Sequence, residues 1–521
     1  MPRKIVLIVA AAVVLSLTAP AAAAEPSDSG ERVRLGPTAA TLTADSKPSK
    51  QQVKRIKWRA CSAKALEGLE CARYTVPRDW DEPNGDTYRL KVYRLKSDGK
   101  RSKVKGTLFI NPGGPGFGGV GYIGVVAQSN RLREHFHIAT WDPRGVPNSE
   151  PVLNNCAGQV GGADPLPATG PFTWRQMVAS VNNIFGPAAA YCYNNSLDWV
   201  EYIGTNNVVQ DLDALRAAVG DKKLTYLGGS YGTTIGKVYA QRYPDSVRAV
   251  MLDGVTQPNL TVPDYAVDNG RAGRQGFRYL QRNLPASVYT GYLALNDLLA
   301  TNVITLATGD IVTRAELWNV TLMAMRGPQG AQDLASTVCG LVSALGLPGC
   351  EDRVVAASDA AISRAFAKAG RTGPPNDMLT RLINCVDLRG RPSVSQIAAG
   401  VADNDTTSPA GQTGGTNGSQ FGSMCRGLPA PVDPLPAFDS KVRSKTPPLL
   451  LSGKYDIATP FTGAKQTRSW FPGSRLISVD TSFHVLFPAP TSCINKPVNR
   501  YLIKQKLPKQ NINCEYPFPV Q

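Results

Sequence analysis

The chain has 521 residues, 42% hydrophobic and 19% charged, the balance of a folded globular protein rather than a disordered one. A single core stops growing below that length, so a main domain carrying a large insertion is expected. The formal charge is +17, but the positive residues are scattered rather than clustered with aromatics; this speaks against a nucleic-acid partner and leaves weak association with an anionic cell wall or acidic polymer as the milder reading.

In chain order, Arg3 and Lys4 precede the apolar run Ile5 to Leu17, and Ala22-Ala23-Ala24 then offers a small-residue cleavage site. Residues 1–24 read as a signal peptide for secretion, with Glu25 as the mature start and a remaining charge of about +15 once Arg3 and Lys4 are gone. A membrane anchor is the alternative, but the run is short for a span and no other stretch reaches that length. Residues 25–52 are polar and aperiodic, as in a leader or pro-segment. Ten cysteines suit an oxidising destination. They fall into five near neighbours, Cys61 and Cys71, Cys156 and Cys192, Cys339 and Cys350, Cys385 and Cys425, Cys493 and Cys514, which suggests local pairing. With no C-x-x-C and no H-E-x-x-H, neither a metal nor another cofactor is implied.

Residues 53–257 form the first part of the core. Asp86 to Leu95 alternates with period two, as a half-buried strand does. Gly106 to Ile110 and Phe136 to Trp141 are short apolar runs of the buried parallel type. Val208 to Gly220 has helical spacing with Gly220 as its stop. Lys223 to Gly228 (strand), Thr233 to Tyr243 (helix) and Val247 to Leu252 (strand) continue the alternation, and this rhythm predicts a doubly wound, mostly parallel sheet. It stops near Pro258. Residues 258–440 read as a helical cap insertion, within which Asp403 to Ser423, rich in Gly, Thr, Ser and Asn, reads as a flexible exposed loop between Cys385 and Cys425. Residues 441–521 resume the core with a strand at Pro447 to Leu451, a helix from about Thr459 to Trp470 and Arg475 to Val479 as the last strand of the sheet.

Gly228-Gly229-Ser230-Tyr231-Gly232 matches G-x-S-x-G between a strand and a helix, the context in which a sharp turn lifts a nucleophilic serine above the sheet edge. Ser230 needs a base. His135 and His137 lie at the wrong end of their strand for a ligand edge and read as a surface and a packing histidine. His484 follows the last strand at the correct edge. Asp456 ends the strand before it and completes the chain order Ser, Asp, His; Asp480 is the rival acid. The glycines after Asn111 would let backbone N–H groups approach a developing oxyanion, with Gly114 and the Tyr231 N–H as the candidate donors. A phosphate-binding loop is disfavoured by the missing G-K-[ST] ending.

Asn111-Pro112-Gly113-Gly114-Pro115-Gly116, Trp141-Asp142-Pro143-Arg144-Gly145, Gly229-Ser230-Tyr231-Gly232, Leu252-Asp253-Gly254-Val255 and Asp456-Ile457-Ala458-Thr459-Pro460 together resemble the secreted tripeptidyl aminopeptidases of actinobacteria, prolyl aminopeptidase relatives with the α/β-hydrolase fold. The resemblance runs from about Trp58 to Cys514. It implies a triad of Ser230, Asp456 and His484 and a serine peptidase releasing short peptides from free N-termini. Phe117, Pro147 and the Ser482-Phe483-His484-Val485 segment depart from the family pattern around the cleft. An esterase on the same fold and a non-catalytic wall-binding protein are the other classes. An exopeptidase must tell an N-terminus from a mid-chain peptide, and the simplest way is to meet the substrate's ammonium with a carboxylate. Among the cap acids Asp264, Asp268, Asp377 and Asp387, the favoured one is Asp387, two residues from Cys385 and at a position where the resembling family also has an acid.

Overall fold

The computed structural model describes residues 6–9, 54–153, 168–352, 360–365, 378–431, 433–438 and 445–520. Of residues 1–24 only the strand Val6–Val9 is described; residues 25–52, Cys156 and Asp377 lie outside the described residues.

The frame is a ten-stranded sheet. Its strands are β1 (Arg59–Ala60), β2 (Leu69–Pro77), β3 (Thr87–Leu95), β4 (Thr107–Asn111), β5 (His137–Trp141), β6 (Leu224–Gly229), β7 (Val247–Asp253), β8 (Leu449–Gly453), β9 (Arg475–Asp480) and β10 (Ile512–Glu515). They lie in the order β10-β9-β8-β7-β6-β4-β5-β3-β2-β1. Everything from β10 to β5 is parallel, and β3, β2 and β1 add an antiparallel edge. The near-continuous apolar runs of the parallel strands follow from covering both faces. Along β4, Leu108 and Ile110 join one buried cluster and Phe109 the other; along β8, Leu449 and Leu451 face one side and Leu450 the other. The sheet is thus sandwiched, the architecture that the strand–helix rhythm predicts.

Two helices place the site from within the core. α1 (Thr205–Val219) ends at Gly220, whose φ of 95° is a left-handed cap that glycine adopts without a Cβ penalty. α2 (Gly232–Arg242) follows the serine turn. Between β7 and β8 the chain builds a largely helical insertion. It includes α3 (Val262–Asn283), α4 (Met378–Asp387) and α5 (Pro409–Gly422), with two short antiparallel strands, Asn302–Thr305 and Ile311–Val312.

The structure corrects two sequence expectations. Asp403 to Ser423 is not an exposed flexible loop: it contains α5, whose residues Gly411 to Ser419 and Phe421 are buried. The helix is built from poor helix formers because it lies backbone-to-backbone on α3. A Cβ at Gly418 would stand 2.5 Å from the Ala266 carbonyl, and one at Gly273 2.9 Å from the Gly414 Cα. Close packing therefore overrides intrinsic propensity. Nor is Arg475 to Val479 the last strand, because β10 pairs with it in parallel from Ile477–Ile512 to Asp480–Glu515. The segment is only four residues long and carries little apolar patterning. A disulfide between Cys514 in β10 and Cys493 in the preceding helix fastens it.

Among the described residues four of the expected disulfides are formed, Cys61–Cys71, Cys339–Cys350, Cys385–Cys425 and Cys493–Cys514; the fifth expected pair includes Cys156, which lies outside the described residues. Cys192 is buried in the helix Trp174–Asn194. Among the described residues no helix is long and apolar enough to cross a membrane.

Candidate active site

The serine turn is shaped by its glycines. A Cβ at Gly228 would stand 2.3 Å from the Gly232 carbonyl oxygen, and one at Gly232 2.7 Å from that of Asn111, so strand and helix meet only because both positions are glycine. Between them Ser230 takes φ 53°, a left-handed conformation that a residue with a Cβ adopts only when its surroundings hold it there. Its N–H donates to the Asp253 carbonyl at 2.8 Å, tying the turn to the end of β7. α2 starts two residues later, so the positive end of its dipole faces the serine.

The glycine loop after β4 leans on this turn. Gly113 and Gly114 have φ of 95° and 109°, and a Cβ on Gly113 would lie 2.8 Å from both the Ser230 Cβ and the Tyr231 nitrogen. The loop is pinned from below. Asn111 Oδ1 accepts the Gly113 N–H at 2.9 Å. The buried Asp142 accepts the Gly119 N–H at 3.2 Å, the Tyr93 hydroxyl at 3.1 Å and the Asn148 amide at 2.9 Å.

The acid and the histidine come from the ends of the neighbouring strands. Asp456 follows β8 and is 1% exposed; His484 follows β9. His484 Nδ1 lies 2.7 Å from Asp456 Oδ2, and the Asp456 carboxylate also accepts the N–H groups of Ala458 and Thr459 at 2.8 and 3.0 Å. The Thr459 hydroxyl donates to Asp456 Oδ2 at 2.8 Å and stands 3.3 Å from His484 Nδ1. The rival Asp480 ends β9, and the carboxylate that meets His484 Nδ1 is that of Asp456. The other two histidines are at the far end of β5. His135 Nδ1 meets the Arg131 carbonyl within the short helix Asn130–His135, and His137 Nδ1 accepts the Ser97 N–H at 3.1 Å.

Two residues that sequence reasoning gave no role hold the histidine. Buried Asp253 ends β7, and its carboxylate accepts the Leu486 N–H at 2.9 Å and the Phe487 N–H at 2.7 Å. Burial raises its carboxyl to about 7. The Arg326 carbonyl accepts the His484 N–H at 2.9 Å. Arg326 has no local sequence signal; Asp253 stands at a strand end and within the Leu252-Asp253-Gly254-Val255 motif, but neither feature names this role.

Ser230, Gly114, Tyr231, Thr459 and Asp387 line one cavity of ≈ 240 Å³ between the sheet edge and the insertion. Asp387 is the last residue of α4 and is 2% exposed. It accepts the Thr205 N–H at 2.8 Å and the Thr205 hydroxyl at 2.6 Å, with the Tyr231 hydroxyl at 3.4 Å. Burial raises its carboxyl to about 7 despite these donors. Asp264 instead closes the N-terminus of α3 by accepting from Thr261, and Asp268 pairs with Arg271 at 3.6 Å.

A mostly parallel sheet with helices on both faces and a serine on a strained strand-to-helix turn is the architecture of the α/β-hydrolases, a class of serine hydrolases. Residues 106–288 match the family described as "alpha/beta hydrolase fold", and residues 413–514 match the family described as "TAP-like protein". The chain is 30% identical over 492 residues to serine protease Hip1 of Mycobacterium tuberculosis, covering 88% of this chain and 91% of that one. It is 28% identical to the tripeptidyl aminopeptidase of Streptomyces lividans, covering 88% of this chain and 86% of that one, and 27% identical to carboxylesterase B of Mycobacterium tuberculosis, covering 88% and 89%. The chain belongs to the α/β-hydrolase family that includes Hip1, and it is related to that family's peptidases and aminopeptidases.

Proposed function

We propose that the chain is a secreted serine aminopeptidase that removes short peptides, tripeptides foremost, from free N-termini through an acyl-enzyme. The observation that carries this reading is a buried carboxylate, Asp387, lining the same cavity as Ser230. A substrate ammonium entering a partly dry cleft needs a charged partner, and a carboxylate at a fixed distance from the nucleophile measures out the piece to be released. The N-terminal signal pattern and the disulfides support export to an oxidising compartment.

In this account Ser230 Oγ attacks the scissile carbonyl while His484 Nε2 takes its proton. Asp456 holds the imidazole through Nδ1–H and stabilises the imidazolium. Backbone N–H groups of Tyr231 and Gly114 meet the oxyanion. Collapse expels the new amine, which takes the proton from His484. Water, deprotonated by the same base, then releases the peptide from Ser230 and restores the enzyme.

The test compares a free tripeptide anilide with its N-acetylated form on wild type and on Asp387→Asn. The expected result is a wild-type preference of about tenfold or more for the free amine, largely lost in the variant. A second reading, a carboxyl-ester hydrolase, draws support from the likeness to carboxylesterase B. Equal cleavage of the free and acetylated anilides, with faster turnover of a matched ester, would favour it.

A further inference from the structure

We propose that Lys237 is a specificity residue whose ammonium binds a carboxylate on the acyl part of the substrate, an Asp or Glu side chain in the one or two residues before the scissile bond. The proposal deepens the reading of the Ser230 cavity as an acyl-side subsite and rests on it.

Lys237 sits on α2, is 1% exposed and contributes to the cavity wall. Its Nζ donates to the Thr256 carbonyl and, at 2.9 Å, to the Thr256 hydroxyl, and it stands 5.7 Å from the centre of the Phe438 ring. Both oxygen partners are neutral, and among the described residues no carboxylate lies within ion-pair distance. Lysine is almost never fully buried unless paired, and an ammonium has three donors, of which Thr256 takes two, so the ammonium form has one donor left to offer. Burial lowers its pKa to about 7, as expected for a cation lacking a counter-charge.

The position suits a substrate side chain. Lysine side chains on a helix lean toward its N-terminus, here toward the serine turn. The hydroxyl that Nζ meets also contacts the hydroxyls of Thr233 and Thr234 at 3.0 and 2.7 Å, in the first turn of α2. The ammonium therefore lies about one helical turn, roughly 5 Å, from the level of Ser230. That is within reach of a carboxylate side chain on an acyl residue. Of the other charged groups lining the cavity, Arg389 is exposed at the rim and adds positive charge, and Asp387 is the one carboxylate. The cavity thus offers separate partners for an ammonium and for an acid.

The test measures kcat/KM for tripeptide anilides carrying Glu or Gln at the first or second residue before the scissile bond. Wild type, Lys237→Met and Lys237→Arg are compared. A p-nitrophenyl ester pair, hemiglutarate against pentanoate, is run in parallel. The expected result is a wild-type preference of about tenfold or more for Glu at one of the two positions and for the hemiglutarate. The preference should fall to near one in Lys237→Met and be mostly kept in Lys237→Arg. A merely structural lysine would lower both members of each pair alike. A wild-type ratio at or below one, or a ratio unchanged in Lys237→Met, overturns the proposal. If wild type cleaves no peptide, the aminopeptidase reading fails, and the ester pair still decides the role of Lys237. If Lys237→Met does not fold, the wild-type and Lys237→Arg ratios decide it.

Discussion

Two buried carboxylates flank Ser230 and do different work. Asp253 joins the two halves of the site, since its carbonyl accepts the Ser230 N–H and its carboxylate grips the backbone just beyond His484. Asp253→Asn replaces one acceptor oxygen by an NH2 group that cannot accept. We expect serine-directed labelling of this variant to slow about tenfold while a circular dichroism spectrum stays native; unchanged labelling would contradict the clamp. Asp387 has its carboxyl raised by burial from 3.8 to about 7, so the folded state holds that proton more tightly than the unfolded chain. Its contribution to stability is full below about pH 4 and is lost as pH rises through about 7. Asp387→Asn should therefore gain stability relative to wild type between pH 5 and pH 8 in melting experiments. Preference for a free amine should rise as Asp387 ionises through about pH 7 and fall as the substrate's α-amino group loses its proton near pH 8. Ser230, Asp456 and His484 are recognisable in sequence because motif, chain order and strand-end position agree. Asp253 and Lys237 are not, since one reads as a strand terminus and the other as a helix-surface residue until the packing around them is known.

At the scale of elements, the strands were legible and the insertion was not. Buried parallel strands announce themselves as apolar runs ended by Gly, Pro or Asp, and β4 to β9 fall within a residue or two of those runs. α5 was illegible because Gly, Ser, Thr and Asn normally mark loops, whereas here their small size is what lets α3 approach. Asn417 extends that contact to the acid loop, donating to the carbonyls of Asn269 at 2.9 Å and Ile457 at 3.0 Å. A Cβ at Gly414 would stand 2.3 Å from Asn404 Oδ1 and 2.7 Å from the Gly270 carbonyl. Gly414→Val should cost about 1–3 kcal/mol or more by forcing the helices apart. Gly124→Ala, in the helix Val120–Val126 with nothing within 4 Å of the added atom, should be neutral or stabilising by up to about 1 kcal/mol. Thermal denaturation of the pair checks this; equal behaviour would contradict the packing argument.

For the whole molecule, the site spans two pieces of chain separated by the insertion, and α4 supplies Asp387 from that insertion. The Cys385–Cys425 bridge, spanning 40 residues, joins the end of α4 to the segment just past α5. Closing a loop of that length stabilises by about 4 kcal/mol in the chain-entropy account. Replacing both cysteines by serine should lower the melting temperature and weaken the free-amine preference more than it weakens labelling of Ser230, because the serine turn belongs to the core. Equal loss of both would mean that core and insertion unfold as one unit. The central claim is that Ser230 is the nucleophile served by His484 and Asp456. The most direct measurement is fluorophosphonate labelling followed by mass spectrometry of the digested protein. The account predicts one adduct, on the peptide containing Ser230. That adduct should be absent in Ser230→Ala and formed at least about a hundredfold more slowly in His484→Ala. An adduct on another residue, or Ser230→Ala retaining most of its turnover, would contradict it.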